Sequence, residues 1–324
     1  TGSSTIKYSS GGVPLWTNGA SGIAMAVDGI GNVFVMESSA TIACSGAGAP
    51  LWTNYYYFGA AIAVDASGNV IVTGTSWNDN FDYYTAKYAA ADGALLWEQH
   101  YNGPANGYDH ASAVAVDGSG NVIVTGRTGG PDPNIVDGHY YTAKYAAADG
   151  TLLWEKLYNG PANLTDSATM LAVDASGNVL VTGYVDGPPI AFSHVGGDYY
   201  TAKYAAADGA TLWEKRFNRP WSGGPSPCLA LGPNGMIVVS GTSSDEYATV
   251  VLRDVPAVSI DLVPTGVHLR VTGLPGRSCN IERAPAITGP WSTINTQTAP
   301  ASGLFEYLDT LPQPGFGFYR IVQP

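Results

Sequence analysis

One phrase recurs along this chain, and its recurrence constrains the fold more than any other feature. It reads AIAVDASGNVIVTG at residues 61–74, AVAVDGSGNVIVTG at 113–126 and LAVDASGNVLVTG at 171–183. Degenerate copies occupy residues 24–35 and 229–241. Self-similarity along a chain is the signature of repeat architectures, in which each unit packs against its neighbours. The sequence therefore predicts five copies of one structural unit.

A second phrase accompanies the first. It reads DYYTAKYAAADGALLWE at residues 82–98, and near copies stand at 139–155 and 198–214. A worn copy, TIACSGAGAPLW, covers 41–52, and STIKYSSGGVPLW at 4–16 precedes the first phrase instead of following the last. The two phrases alternate along most of the chain.

Each phrase has the pattern of a β-hairpin. In the first, apolar residues alternate on both sides of D-x-x-G-N, where Gly can adopt positive φ and Asp can bond its own backbone. In the second, TAKY alternates, A-D-G turns the chain and LLWE follows as a strand. Four short strands in a repeat of 36 to 59 residues, the spacing of the recurring tryptophans, are typical of a β-propeller blade, with strands A to D in chain order. Each unit carries one tryptophan of the second phrase: Trp16, Trp52, Trp97, Trp154 and Trp213.

The number of blades follows from how the two ends of the ring meet. Five blades result if the N-terminal hairpin (4–17) joins the last A–B hairpin (229–241), which would remove exposed strand edges. The segment ATVVLRD (248–254) also resembles a strand C and competes for the same edge. A sixth, mixed blade and a fragment of a longer propeller therefore remain open.

The combined pattern A-V-D-x-x-G-N-V-x-V-T-G and K-Y-x-x-x-G-x-x-L-W resembles the bacterial SBBP repeat family and, more distantly, NHL and PQQ-type blades. The resemblance covers about residues 4–254. It implies a β-propeller in a secreted or surface setting, and it implies no chemistry. PQQ-dependent dehydrogenases share the A-D-G-x-x-L-W pattern, but they use more blades and dedicated cofactor ligands that this sequence does not identify.

The pattern changes after residue 254. Residues 255–324 contain Trp291 and the sequence Phe-Tyr-Arg at 318–320. They resemble C-terminal β-sandwich modules of secreted bacterial proteins. Cys279 stands where such modules usually have Tyr, and Ala284 stands near their usual Ser. We expect an all-β chain with a propeller in residues 1–254 and a small β-sandwich in residues 255–324.

Composition narrows the classes of partner. A net charge of −12, without a local Lys/Arg cluster, disfavours nucleic acid and anionic lipid. No stretch is long and apolar enough for a membrane span. Low lysine content with abundant Thr, Asn, Gly and Tyr favours an extracellular or cell-surface location after removal of a signal peptide. Three widely spaced cysteines, Cys44, Cys228 and Cys279, favour free thiols, and a disulfide or a metal role remains open.

Residues that recur in every blade are best explained by the blade itself. The repeated aspartates form the A–B turns, and the tryptophan rings of strand D are buried between adjacent blades. The repeated lysines lie on strand C, where each is solvated or paired with a carboxylate. The turn aspartates are Asp28, Asp65, Asp117 and Asp174, and the strand C lysines are Lys7, Lys87, Lys144 and Lys203.

Non-repeated residues are the candidates for chemistry. Asp109-His110 aligns with Asp166-Ser167, so the Asp is repeated and only the His differs between the two blades. The sequence contains no nucleophile elbow that could act with this histidine. We therefore predict no catalytic residues and no required cofactor, and a carbohydrate-active enzyme is the least favoured reading. Calcium remains open, because oxygen-rich clusters occur without a complete calcium loop. The weak calcium candidates are Asp79, Asp82, Asp132 and Asp137.

The loops differ between blades on one face of the disc. The A–B and C–D turns are short and nearly uniform, whereas the B–C loops and D-to-A connections vary and carry aromatic and polar groups suited to binding. The candidate binding residues are Trp77, Asp79, Tyr108, His110, Asp132, Asp137, His139, His194, Arg219 and Trp221. We expect a non-catalytic module that binds glycan or a surface protein. The alternative is a structural subunit that assembles with copies of itself.

Overall fold

The structure is a computed structural model, and the predicted all-β class is confirmed. The described residues contain 27 strands, and within them no helix is long and apolar enough to cross a membrane. The described residues are 4–78, 80–129, 138–161, 164–185, 198–217, 227–232, 236–243, 246–253, 257–263, 265–272, 277–300, 304–310 and 317–322.

A two-stranded hairpin precedes the first complete blade. The hairpin consists of β1 (Thr5–Tyr8) and β2 (Pro14–Asn18). Blade 1 consists of β3 (Ala24–Val27), β4 (Val33–Met36), β5 (Ala40–Cys44) and β6 (Pro50–Tyr55). All neighbouring strands are antiparallel and follow chain order, as the two hairpin phrases predict.

Three further four-stranded sheets repeat this meander. Blade 2 consists of β7 (Phe58–Val64), β8 (Val70–Asn78), β9 (Asn80–Tyr88) and β10 (Leu95–Tyr101). Blade 3 consists of β11 (His110–Val116), β12 (Val122–Gly129), β13 (Gly138–Tyr145) and β14 (Leu152–Tyr158). Blade 4 consists of β15 (Asp166–Val173), β16 (Val179–Val185), β17 (Asp198–Tyr204) and β18 (Thr211–Phe217).

A three-stranded sheet, blade 5, settles which segment borders the last A–B hairpin. It consists of β19 (Cys228–Leu231), β20 (Met236–Ser243) and β21 (Glu246–Arg253). Strand β20 pairs with β19 on one side and β21 on the other, so the surplus strand takes the edge for which β1 competed. Closure of a ring by the N-terminal hairpin stays a prediction.

The D-x-x-G-N turn is held by its aspartate. In blade 3, Asp117 Oδ1 accepts hydrogen bonds from Ser119 N and Asn121 N, and Oδ2 accepts one from Asn121 Nδ2. Gly120 adopts φ +83°, a conformation that favours glycine. Asn121 Oδ1 accepts a hydrogen bond from Ala147 N, so the A–B turn and the C–D turn of one blade lie together.

In blades 2 and 3, a buried lysine links the A–B turn to the next blade. Lys144 Nζ lies 2.8 Å from Asp117 Oδ2 of its own blade and donates to Ala206 O of blade 4 at 2.8 Å. Lys87 makes the same pair of contacts with Asp65 and Ala147 O. Of the two roles that the sequence left open, Lys87 and Lys144 have the carboxylate-paired one, and both also connect neighbouring blades.

The tryptophan on strand D donates a hydrogen bond to the same carbonyl as the lysine. Trp97 Nε1 donates to Ala147 O at 3.3 Å, and Trp154 Nε1 donates to Ala206 O at 3.3 Å. Gly150, at φ +72° in the next blade's turn, lies against the Trp97 ring, where a Cβ would approach within 2.7 Å. Glycine is required there for both conformation and space.

Apolar side chains of strands A and B complete the contact between blades. Ile71 of blade 2 lies in one core cluster with Val122 and Val124 of blade 3, and Val114 and Val116 of β11 pack against that cluster. Equivalent clusters join blades 1 and 2 and blades 3 and 4. Each blade therefore buries its faces mainly against its sequence neighbours, as in other repeat proteins.

The C-terminal segment forms two three-stranded sheets. One has the order β22 (Ala257–Val263), β23 (Gly266–Thr272), β26 (Leu304–Asp309). The other has the order β25 (Ser292–Thr298), β24 (Ser278–Ala284), β27 (Phe318–Val322). One cluster joins Leu269 and Val271 of the first sheet to Ile281 of the second, with Phe305 and Ile321 beside it, so the core lies between the sheets of a β-sandwich.

Replacing Lys144 by Met should destabilise the propeller strongly. The substitution leaves the Asp117 carboxylate buried without its cation and removes the bond to blade 4, and breaking such a pair costs about 3 to 5 kcal/mol. Chemical denaturation measures the free energy of unfolding. The control is Lys215→Met on an exposed position of β18, for which we expect a change within about 0.5 kcal/mol. Equal, small effects of both substitutions would contradict this assignment.

The ion pair also predicts an acid-dependent loss of stability. Burial alone would raise the pKa of Asp117, but Lys144 and Asn121 outweigh it and hold the pKa below its ordinary value of 3.8. The folded state then binds fewer protons than the unfolded state, so the stabilisation is complete above the unfolded pKa and is lost as pH falls through the folded pKa. The stability difference between wild type and Asp117→Asn should therefore be constant near neutral pH and shrink below about pH 4. A difference that is independent of pH would refute the pairing.

Candidate binding surface on the loop face

The B–C hairpin of blade 2 places two aromatic rings side by side. Strands β8 and β9 continue their pairing to the end of the hairpin, where Trp77 is opposite Phe81. The two ring centroids lie 4.8 Å apart with an interplanar angle of 80°. Cross-strand aromatic pairs of this kind stabilise a hairpin and fix the direction of both rings.

Phe81 is the centre of a larger aromatic patch. The centroid of its ring lies 6.0 Å from that of Phe58, 5.5 Å from that of Tyr108 and 6.1 Å from that of His110. Phe58 and Trp77 are 53% and 51% exposed, and Tyr108 is 41% exposed. We call Phe58, Trp77, Phe81, Tyr108 and His110 the aromatic patch. It gathers residues from blade 2 and from the start of blade 3 into one solvent-facing surface.

The connection from blade 2 to blade 3 is fixed to the same hairpin. Asn80 Nδ2 donates to Asn106 O at 3.0 Å and to Gly107 O at 2.9 Å. Asp109 N donates to Phe81 O at 2.6 Å. These bonds hold Tyr108 beside Phe81, so the patch is organised before any partner arrives.

Two titratable groups at the base of the patch have structural partners. Asp109 is fully buried and accepts hydrogen bonds from Gly103 N at 2.6 Å and Gly129 N at 3.0 Å. Burial raises the pKa of Asp109 to about 6, against the effect of those two bonds. His110 Nδ1 lies 3.3 Å from Thr75 Oγ1, and burial followed by the charge of Arg127 lowers the pKa of His110. At neutral pH the imidazole is therefore uncharged.

Asp109 has a counterpart in the next connection. Asp166 Oδ2 accepts a hydrogen bond from Gly160 N, as Asp109 does from Gly103 N. Both carboxylates bond to the glycine of the N-G-P sequence with which each connection begins. The repeated aspartate is thus a loop-forming residue, as its repetition in the sequence indicates.

The structure brings together three of the predicted binding residues. Trp77, Tyr108 and His110 meet around Phe81. His139 lies near the start of β13 in blade 3, where it pairs with Thr128 of β12. The other candidates, Asp79, Asp132, Asp137, His194, Arg219 and Trp221, lie outside the described residues.

Sequence reasoning missed Phe58 and Phe81. A comparison between blades contains a signal for Phe81, because Gly138 and Gly197 occupy the equivalent positions of blades 3 and 4. Phe58 and His110 are also equivalent, since both begin strand A and pair with the same position of strand B. Successive blades thus contribute rings to both sides of Phe81.

One of the four weak calcium candidates is described. Asp82 is buried on β9, opposite Ser76 of β8. Asp79, Asp132 and Asp137 lie outside the described residues. In the part of the chain that the structure does describe, no three His, Cys, Asp or Glu side chains converge as metal ligands. All three cysteines are free thiols there, two buried and Cys228 exposed.

Solved structures with similar folds include an outer-membrane factor and two enzymes. BamB from Moraxella catarrhalis is 12% identical with a TM-score of 0.42, and the match covers 81% of this chain and 86% of that one. The quinohemoprotein alcohol dehydrogenase ADHIIG from Pseudomonas putida HK5 is 10% identical with a TM-score of 0.45, covering 81% of this chain and 54% of that one. Quinohemoprotein alcohol dehydrogenase from Comamonas testosteroni is 14% identical with a TM-score of 0.44, covering 91% and 57%. This chain thus spans little more than half of either dehydrogenase.

The search of curated proteins gives no significant match. A family match covers the hairpin and the first three blades and continues to the end of β16 in blade 4, residues 4–185, which is more than half of the chain. Of the resemblances seen in the sequence, the PQQ-type blades are the ones that this match supports. The chain belongs to the family described as outer membrane protein assembly factor BamB.

Proposed function

We propose that this protein is a non-catalytic β-propeller of the cell envelope or cell surface that binds a protein partner through the aromatic patch. The observation that carries the proposal is the set of half-exposed rings around Phe81, held by the bonds of Asn80 and Asp109. Exposed aromatic residues on rigid loops are the groups that contribute most to protein interfaces.

The geometry of the rings favours protein over glycan. Trp77, Phe58 and Tyr108 meet Phe81 at interplanar angles of 80°, 67° and 71°. Such edge-to-face contacts give an uneven surface with gaps between rings, which suits apolar side chains of a partner. A sugar ring stacks best on one flat, open ring face. Binding of glycan is therefore the second candidate, and the test below includes it.

The charged and polar groups near the patch support a role without catalysis. The Asp109 carboxylate is occupied by two backbone N–H groups and is buried beneath the surface. The His110 imidazole contacts the Thr75 hydroxyl and lies against the Phe81 ring. A general acid or base needs a reachable proton acceptor or donor in a cleft, and these two groups serve the loop and the patch instead.

The family description supports the envelope location and the class of partner. Members are described as factors for assembly of outer membrane proteins, a task that requires contact with other proteins. The charge of −12 would favour a neutral or basic partner surface. Membership of the SBBP repeat family, with its surface setting, is compatible with this proposal. A calcium ion bound by the loop aspartates is a further proposal that the binding function does not require.

Replacing Trp77 or Tyr108 by Ala should weaken partner binding while the propeller stays folded. Truncating an interface aromatic of this kind costs about 2 kcal/mol, which corresponds to roughly thirtyfold in Kd. Envelope proteins that cross-link to the wild-type chain supply the partner, and isothermal titration calorimetry measures its affinity for each variant. Circular dichroism and the melting temperature verify folding.

The matched control is Leu96→Ala. Leu96 is 48% exposed on strand β10 outside the patch, so its truncation removes a similarly exposed apolar group. Unchanged affinity for the control with loss for both patch variants supports the proposal. Equal affinity of all variants refutes it, and a glycan array that binds wild type but not Trp77→Ala would replace the protein partner by a carbohydrate.

A further inference from the structure

Two stacked tyrosines mark the outer boundary between blades 2 and 3. Tyr101 of β10 and Tyr141 of β13 stack across this boundary, with ring centroids 3.8 Å apart and an interplanar angle of 12°. Tyr141 is buried, whereas Tyr101 is half-buried. The pair forms the floor of a groove between the two blades, and part of Tyr101 is accessible from solvent.

Strands β10 and β14 supply the walls of this groove. On β14, Leu157 lies opposite Tyr141, and Glu155 precedes Leu157 by two residues on the same face. Both are exposed, Leu157 by 48%. On β10, Gln99 precedes Tyr101 by two residues and shares its face. We call Gln99, Tyr101, Tyr141, Glu155 and Leu157 the blade 2–3 groove.

The charge of the groove comes from Glu155. The Tyr141 hydroxyl donates to Glu155 Oε2 at 3.1 Å. Burial raises the pKa of Tyr101, and the Glu155 charge adds to the increase although the two residues belong to different blades. Among the described residues, Glu155 forms no ion pair, and the lysine nearest to this boundary, Lys87, is already paired with Asp65. The groove is therefore negative and open to a cation.

The next groove contains a cation of the chain itself. Between blades 3 and 4, Tyr158 and Tyr200 stack at 3.9 Å and 14°, and Tyr200 donates to Glu214 Oε2 at 2.7 Å. Arg216 lies opposite Tyr200, as Leu157 lies opposite Tyr141. Burial raises the pKa of Tyr158, and the positive charge of Arg216 is the largest opposing influence. The guanidinium is thus close to the stacked rings.

Blade 2 also has a basic side chain at this position. His100 lies opposite Tyr84, with ring centroids 5.2 Å apart, and the Tyr84 hydroxyl donates to Glu98 Oε2 at 3.4 Å. Of blades 2, 3 and 4, blade 3 alone places an apolar residue, Leu157, beside the tyrosine and the glutamate. The chain therefore supplies a basic group to this arrangement twice and omits it once.

We propose that the blade 2–3 groove binds an arginine side chain of a protein partner. The guanidinium would donate to the Glu155 carboxylate and lie against the accessible part of Tyr101, while its methylene groups pack on Leu157. Arginine suits the groove better than lysine, because its planar group both stacks on aromatic rings and pairs with a carboxylate through two N–H groups.

The occupant is an arginine because the chain itself places Arg216 at the corresponding point of the next groove. A partner that presents a basic residue beside apolar ones also complements the net charge of −12. None of the five groove residues belongs to the aromatic patch. This contact therefore does not depend on the binding function proposed for that patch.

Fluorescence polarisation with a labelled peptide that has one arginine between two leucines tests the site. The matched probe carries citrulline, which has nearly the same shape without the charge, and we expect wild type to bind it about fivefold or more weakly. Glu155→Gln should weaken binding of the arginine peptide to a similar degree. Glu214→Gln, in the groove that Arg216 occupies, is the control and should bind like wild type. Melting temperatures verify that both variants fold.

Leu157→Arg tests the position of the bound side chain. The substitution copies Arg216 into the blade 2–3 groove, so a guanidinium of the chain should take the site and weaken peptide binding by about tenfold or more. Trp77→Ala should bind the peptide like wild type, because Trp77 belongs to the aromatic patch.

Three results would overturn the proposal. Wild type does not bind the arginine peptide at millimolar concentrations, or it binds the arginine and citrulline peptides equally. Alternatively, Glu155→Gln or Leu157→Arg binds the arginine peptide as tightly as wild type. Equal losses for Glu155→Gln and Glu214→Gln would also contradict it, since binding would then follow the total charge of the chain.

Discussion

The buried ammonium group of one lysine in each of blades 2 and 3 holds the propeller in register. It neutralises the carboxylate that forms the A–B turn, and it donates to the carbonyl that begins the C–D turn of the next blade. A buried charge is stable only when it is paired and hydrogen bonded, so one side chain ties the A–B turn of its own blade to the C–D turn of the next blade. The tryptophan on strand D donates to that same carbonyl, and the glycine beneath the ring leaves room for it.

This arrangement makes one face of the disc uniform and leaves the other free to vary. The residues D-x-x-G-N and A-D-G recur in blades 2, 3 and 4, where their backbone and side-chain atoms make contacts within and between blades. Loops at the opposite ends of the strands carry no such requirement, and there blade 2 has Trp77 and Phe81 where other blades have different residues. The contacts of the A–B and C–D turns thus hold the strands whose opposite ends carry the aromatic patch.

Much of the fold could be predicted from the sequence because the same physical requirement is repeated. Asp117, Lys144 and Trp154 recur at fixed places in the phrases, so their structural roles and the four-stranded blade could be inferred. The aromatic patch could be predicted only in part, since the contact of Phe58 with Phe81 depends on how one connection packs on another hairpin. The position of β21 could not be predicted, because β1 and β21 both carry a strand C pattern and backbone pairing alone decides between them.

The central claim is that the lysine and the turn aspartate act as one buried unit between blades. A double-mutant cycle of Lys144→Met, Asp117→Asn and the combined variant measures this coupling in the free energy of unfolding. The account predicts that the combined variant is no less stable than Lys144→Met alone, with a coupling energy of about 2 kcal/mol or more. Additive losses, with a coupling energy near zero, would contradict it.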